Sequence, residues 1–252
     1  MEAPTLGSVI LAGVLLKLGT YGLLRFSFVL FADANSYFTI LVYVISIVSI
    51  VYSSLTTLRQ VDLKRIVAYS SVAHMNFSLL GLFSQTIQGI EGGILLMLSH
   101  GFVASSLFLC IGIVYDRHHT RLVKYYSGFV SIMPIFAIIF FFFSVSNLGL
   151  PGTSSFIGEL LIMVGSFYQN SFPTFIGSLC IFLGSIYTIL VYARICFGNL
   201  KTKKSDEYLD ISFREFVVLS PLVFMTLFAG FCPNVFLEYI YFSTSFLNIV
   251  YI

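Results

Sequence analysis

The sequence predicts an all-α integral membrane protein of seven transmembrane helices, one of them discontinuous, forming a single domain over residues 1–252. Three observations carry that reading. Of the 252 residues, 58% are hydrophobic and 10% are charged, against about 25% charged in soluble domains; mean hydropathy is +0.98. Apolar stretches of about 20 residues, enough to cross a bilayer, recur along the chain. One stretch of double length is interrupted by Pro-Gly. A water-soluble globule needs more polar surface than this chain supplies, which excludes a soluble enzyme, a nucleic-acid reader and a disordered tail. A net charge of +2 points to no polyanionic partner.

The predicted spans are 5–24, 37–55, 66–84, 92–115, 128–168, 174–197 and 214–234. Asp33 and Asn35 mark the first break. Polar loops follow at 56–65 (TTLRQVDLKR), 116–124 (DRHHTRLVK) and 200–210 (LKTKKSDEYLD), the last being the most charged. The apolar tail, 239–252, is too short for a comfortable span and is expected in the interface or packed on the bundle. The stretch 128–168 is two spans or one long helix broken at Asn147-Leu148-Gly149-Leu150-Pro151-Gly152-Thr153. Pro removes a donor and Gly loosens the backbone, so no ordinary helix runs through that segment.

Basic residues decide the count. With 128–168 taken as one broken span, Arg59, Lys64, Arg65, Arg117, Arg121, Lys124, Lys201, Lys203, Lys204 and Arg214 fall on one side, with Arg194 adjoining. Arg25 alone falls on the other. Two spans would throw Lys201, Lys203 and Lys204 across the membrane. The positive-inside rule therefore favours seven spans, with the basic side facing matrix or cytoplasm. A broken helix is tolerated where protein or water satisfies its freed backbone groups, and transporters use such breaks to aim helix ends at an ion path. A plain proline kink is the other reading.

Cys110, Cys180, Cys196 and Cys232 stand alone in apolar surroundings without metal or redox spacing and read as free thiols. Trp is absent, so an interfacial aromatic belt rests on 15 Tyr. The N-terminus has neither the basic start of a signal peptide nor the Arg-rich character of a transit peptide. An organellar protein of this sequence is expected to be made in the organelle. Phosphate loops, dinucleotide fingerprints, nucleophile elbows and haem or iron–sulfur motifs are missing. The expected chemistry is movement of protons or ions.

Four titratable groups sit well inside spans: Lys17, His74, His100 and Glu159. A lysine at a helix centre costs about 2.5–3.5 kcal/mol on insertion scales. Desolvated there, it can exchange protons near neutral pH, which a surface lysine cannot. Imidazoles already titrate in that range. An acid, a base and two imidazoles on four elements have the composition of a proton relay. Taken singly, each has a plainer reading. Lys17 could snorkel, its span running on about 10 Å to Leu24. His74 and His100 could be structural hydrogen bonders, His100 beside Ser99 and Gly101. Glu159, with its short side chain, snorkels poorly. His118 and His119 are expected to be solvated in a loop, with no metal site.

At this point several motifs coincide. EAPTLGSVILAGVLLKLGTYG (2–22) resembles a signature of NADH:ubiquinone oxidoreductase (complex I) chain 4, and so do DLKRIVAYSSVAHMNF (62–77), LSHGFVASSLF (98–108) and LPGTSSFIGE (150–159). They run in the family's order across almost the whole chain. The resemblance implies an antiporter-like, proton-moving subunit of the membrane arm that carries no cofactor itself; NADH, FMN, iron–sulfur clusters and ubiquinone belong to other subunits. It implies Lys17 as the central proton-carrying lysine, His74 and His100 as relay histidines and Glu159 as the terminal residue. It also implies the second half of an inverted-repeat fold, helices eight to fourteen of about fourteen, with a broken helix in each repeat. The glutamate and first lysine of the family's other repeat are absent.

With Met1 standing directly before the first motif, a naturally split subunit is expected. Its partners would be a separate polypeptide carrying the N-terminal half of subunit 4, the neighbouring subunits 2 and 5, and lipids. The expected location is the mitochondrial inner membrane, from an organelle-encoded gene, with the bacterial plasma membrane as the alternative. Two other functions compete: a subunit of a multisubunit sodium/proton antiporter, and a scaffold that spaces the membrane arm without pumping. A scaffold would gain stability by losing its buried ionisable groups, which argues against it.

Overall fold

The computed structural model describes residues 3–199 and 209–251 and is helical almost throughout. Among the described residues, six helices are long and apolar enough to cross a membrane: α1 (Thr5–Leu30), α2 (Ala32–Arg59), α3 (Leu63–Phe83), α4 (Ile87–His118), α7 (Ser171–Cys196) and α8 (Phe213–Phe231). The double-length stretch divides into α5 (Pro134–Asn147) and α6 (Ser154–Gln169). A last helix, α9, covers Asn234–Tyr251. The protein is an integral membrane protein of seven crossings, one of them broken.

The helices overrun the apolar stretches, so the loops are shorter than the polar segments suggest. Arg59 still ends α2, and α3 starts at Leu63, leaving three residues of the 56–65 loop. The first turn falls at Phe31 rather than at Asp33 and Asn35. Asn35 nonetheless holds that turn, donating from Nδ2 to the Ser27 carbonyl at 2.7 Å. The tail helix starts five residues before 239 and packs on α4, where Thr244 Oγ1 donates to Glu91 Oε1 at 3.4 Å. The charged loop with Lys201, Lys203 and Lys204 lies outside the described residues.

Packing inverts the soluble pattern. In α2 the inward stripe is Ser46, Ile50, Ser53, Ser54 and Thr57, while Ile40, Val44, Val48 and Tyr52 face outward. Lipid provides no hydrophobic drive between helices, so small hydroxyl residues that permit close approach mark the contact. Their hydroxyls bond back to the preceding turn, as Thr57 Oγ1 does to the Ser54 carbonyl at 2.6 Å. The same logic sets α4 against α6. A Cβ on Gly92 would stand 2.7 Å from the Ile162 nitrogen, and one on Gly158 would stand 2.9 Å from the Leu96 nitrogen.

The basic ends are tied together. Leu63 N donates to the Arg121 carbonyl and Val123 N to the Val61 carbonyl, each at 3.0 Å. Arg117 grips Glu215 at 2.8 Å and donates to the carbonyls of Leu209 and Asp210. The Asp210 carboxylate accepts from the backbone of Ile135 and Phe136, capping α5. At the other end of α5 the chain turns through Gly149 (φ +79°) and Gly152 (φ +96°), conformations that favour glycine. Ser155 Oγ, in α6, donates to the Ser146 carbonyl and closes the break.

Candidate functional site

All four mid-span ionisable groups lie in one row. Lys17 follows a π-helical stretch of α1, Leu11–Leu15, and its Nζ donates to the Ala12 carbonyl within that stretch. The same Nζ lies 3.0 Å from His100 Nδ1 on α4. The His100 and His74 rings are 5.6 Å apart between centroids, tilted by 42°. His74 Nδ1, on α3, is 3.6 Å from Glu159 Oε1 on α6. Lys17 is half-buried, whereas His74, His100 and Glu159 are 4%, 3% and 4% exposed.

Each position has a local cause. The wide π turn makes the Ala12 carbonyl a partner for Lys17, and such turns recur at functional sites. The Lys17 stem crosses α4 at Gly101. The α4–α6 glycine contacts bring α6 in, and Gly149 gives its carboxylate room: a Cβ there would collide with Glu159 Oε2. Glu159 is therefore seated over the break in the broken helix. The Nε2 atoms of His74 and His100 are buried and have no hydrogen-bond partner among the described residues. Buried polar atoms are ordinarily satisfied, so these two orphans, on rings whose centroids are 5.6 Å apart, leave each imidazole one nitrogen with unused hydrogen-bonding capacity.

Chemically, such a row can move a proton. An imidazole takes a proton on one nitrogen and releases it from the other. In both histidines Nδ1 faces a neighbouring ionisable group, and Nε2 has no partner among the described residues.

Three buried polar groups escape the sequence reading. Glu91 is 8% exposed within α4, although the predicted span starts one residue after it. Lys64, counted among loop charges, is 4% exposed, and its Nζ donates to the Ala3 carbonyl at 3.0 Å. Tyr187 is 2% exposed; a tyrosine in an apolar span, carrying no charge, gives no signal in the sequence. His118 differs from the solvated loop residue expected: it ends α4, half-buried, its ring stacked on Phe129 at 5.2 Å.

A family profile described as NADH:quinone oxidoreductase/Mrp antiporter, TM, matches residues 1–188. A NADH-ubiquinone oxidoreductase chain 4 of Marchantia polymorpha is 56% identical over 245 residues, covering 97% of this chain and 50% of that relative. The chain 4 of Chondrus crispus is 56% identical over 243 residues, covering 96% and 49%. The chain thus spans about half the length of the curated relatives it matches. Its fold is similar to a chain of respiratory complex I from Thermus thermophilus, with a TM-score of 0.88 and 23% identity over 93% of this chain and 50% of that one.

Proposed function

The chain belongs to the NADH:quinone oxidoreductase/Mrp antiporter transmembrane family, and from that membership we propose that it is a proton-translocating membrane-arm subunit of respiratory complex I in the mitochondrial inner membrane. The observation that carries the reading is the row Lys17–His100–His74–Glu159, with Lys17 and His100 3.0 Å apart and His74 and Glu159 3.6 Å apart. Lys17 holds a proton in mid-membrane and passes it to His100 Nδ1. His100 releases one from Nε2, through a bridging water, to His74 Nε2. His74 gives one up from Nδ1 to Glu159. Transfer from the Lys17 ammonium to the Glu159 carboxylate neutralises both ends of the row. A charge displaced nearby therefore shifts the position of the proton. Against 100 mV each proton needs about 2.3 kcal/mol, which bounds what that displacement must supply.

NADH oxidation and quinone reduction belong, in this reading, to other subunits. In this reading the helices of the other repeat pack over α1. Support comes from that helix itself: Leu6, Ile10, Val14, Leu18 and Tyr21 are exposed, and a groove of about 710 Å³ opens onto Lys17. A half-buried lysine facing lipid is costly, and a second repeat would cover it.

The test is to purify the membrane complex containing this chain, identify its neighbours by mass spectrometry and assay NADH:quinone activity on the same fraction. The proposal expects a large NADH-oxidising assembly that includes polypeptide matching the other half of chain 4. Migration with a small antiporter set, showing sodium/proton exchange and no NADH activity, would overturn it.

A further inference from the structure

Between the basic end of the bundle and the row lies a column of three voids. At the surface, a vestibule of about 440 Å³ opens among Gln60, Lys124 and Arg194. A second void of about 10 Å³ shares Gln60, Val123 and Arg194 with the vestibule and reaches Tyr187. A third, of about 30 Å³, shares Ile66, Tyr187 and Val191 with the second and ends at Asn147. Holding one water takes roughly 10–15 Å³ measured this way, so the innermost void has room for water and the middle one is a constriction.

Chemistry separates the innermost void from a packing defect. Apolar cavities stay dry, whereas polar ones keep waters that make two to four hydrogen bonds. Ser70, Ser144, Asn147, Tyr187 and Thr188 line this one, from three helices, within an otherwise apolar core. The buried Tyr187 hydroxyl stands beside Ser70 and lacks a hydrogen bond of full geometry among the described residues. A water in the void would satisfy it.

The inner end of the column meets the row. Ser70 and His74 are one turn apart on the same face of α3, about 6 Å. Asn147 is the last residue of α5, directly before the break in which Gly149 seats the Glu159 carboxylate.

We propose that this column is a water-filled proton route from the basic side of the membrane to the His74–Glu159 end of the row, in which Tyr187 positions the innermost water. The inference rests on the relay reading above and adds a direction to it: this half exchanges protons with the basic side through its own helices rather than only through the other repeat. The constriction, lined by Ile66, Tyr187 and Val191, is the narrowest point of the route.

The test uses the whole complex in sealed vesicles. Tyr187→Phe keeps the ring and removes the hydroxyl. Gln60→Cys places a thiol in the vestibule for a positively charged methanethiosulfonate reagent applied from the basic side. The unsubstituted complex, with its four native cysteines, sets the background. Proton translocation is expected to fall about tenfold in Tyr187→Phe, the scale of one lost water-organising hydrogen bond, with a larger solvent deuterium isotope effect. It is expected to fall similarly when Gln60→Cys is modified, in proportion to the label counted by mass. If translocation stays within twofold of the unsubstituted complex in either case while Lys17→Ala abolishes it, the route is wrong and the relay stands. If Lys17→Ala also leaves translocation unchanged, the relay reading fails and takes the route with it.

Discussion

Glu159 combines what a residue contributes alone with what its neighbours must permit. Its place after the Pro-Gly break was legible in the sequence because a short acidic side chain inside a span cannot snorkel out. What holds it against His74 was not legible: that depends on Gly149, which at φ +79° supplies both the turn and the space for the carboxylate. Gly149→Ala is therefore expected to be costly twice over. A non-glycine residue in the left-handed region costs about 1–3 kcal/mol, and the new methyl group displaces the carboxylate from His74. The expected outcome is a lower melting temperature of the purified complex together with reduced proton translocation; an unchanged melting temperature would show that the turn adapts freely. The two histidines were legible as buried polar residues, but not as neighbours 5.6 Å apart, because sequence spacing says nothing of contacts between helices.

At the scale of elements, span count, break and orientation follow from hydropathy, Pro-Gly and the basic residues, and the structure carries the same seven crossings. Helix ends are where sequence reading falls short, by as much as six residues for α1, because helical backbone satisfies itself beyond the hydrocarbon region as well as within it. The π-helical stretches of α1 left no sequence trace. Close packing of α4 on α6 is the element-level feature on which the site depends. Gly92→Val pushes against the Ile162 backbone and is expected to cost about 1–3 kcal/mol, the usual range for overpacking. The expected readout is a reduced yield of assembled complex, with Gly92→Ala milder. Arg117 ties α4 to α8 and to the cap of α5 through a pair whose side chains are 15% and 19% exposed. That places it between a surface pair, worth about 0–1 kcal/mol, and a buried one, whose breakage costs about 3–5 kcal/mol. Arg117→Ala is expected to destabilise by about 1–3 kcal/mol in thermal unfolding, with Arg117→Lys recovering part of the loss; equal loss in both variants would place the effect in the guanidinium geometry alone.

At the scale of the molecule, burial is uneven from helix to helix. The core surrounds α3 and α4, whose apolar stretches are mostly buried, while that of α1 is mostly exposed. The row runs from that exposed helix into the centre, so the proposed complement reaches Lys17 first and Glu159 last. The column of voids gives the inner end of the row its own access to the basic side. In the proposed relay, conduction is a property of the whole row, because removing any member breaks the same path. Losses from residues acting as a unit are strongly non-additive. The most direct measurement is the rate of NADH-driven proton translocation in sealed vesicles for Lys17→Ala, His74→Ala and the double variant. A single conducting row predicts that each single variant loses at least about a hundredfold, the scale of a lost proton-transfer group, and that the double variant loses no more than the worse single one. Near-normal translocation in His74→Ala, or losses that multiply in the double variant, would contradict it.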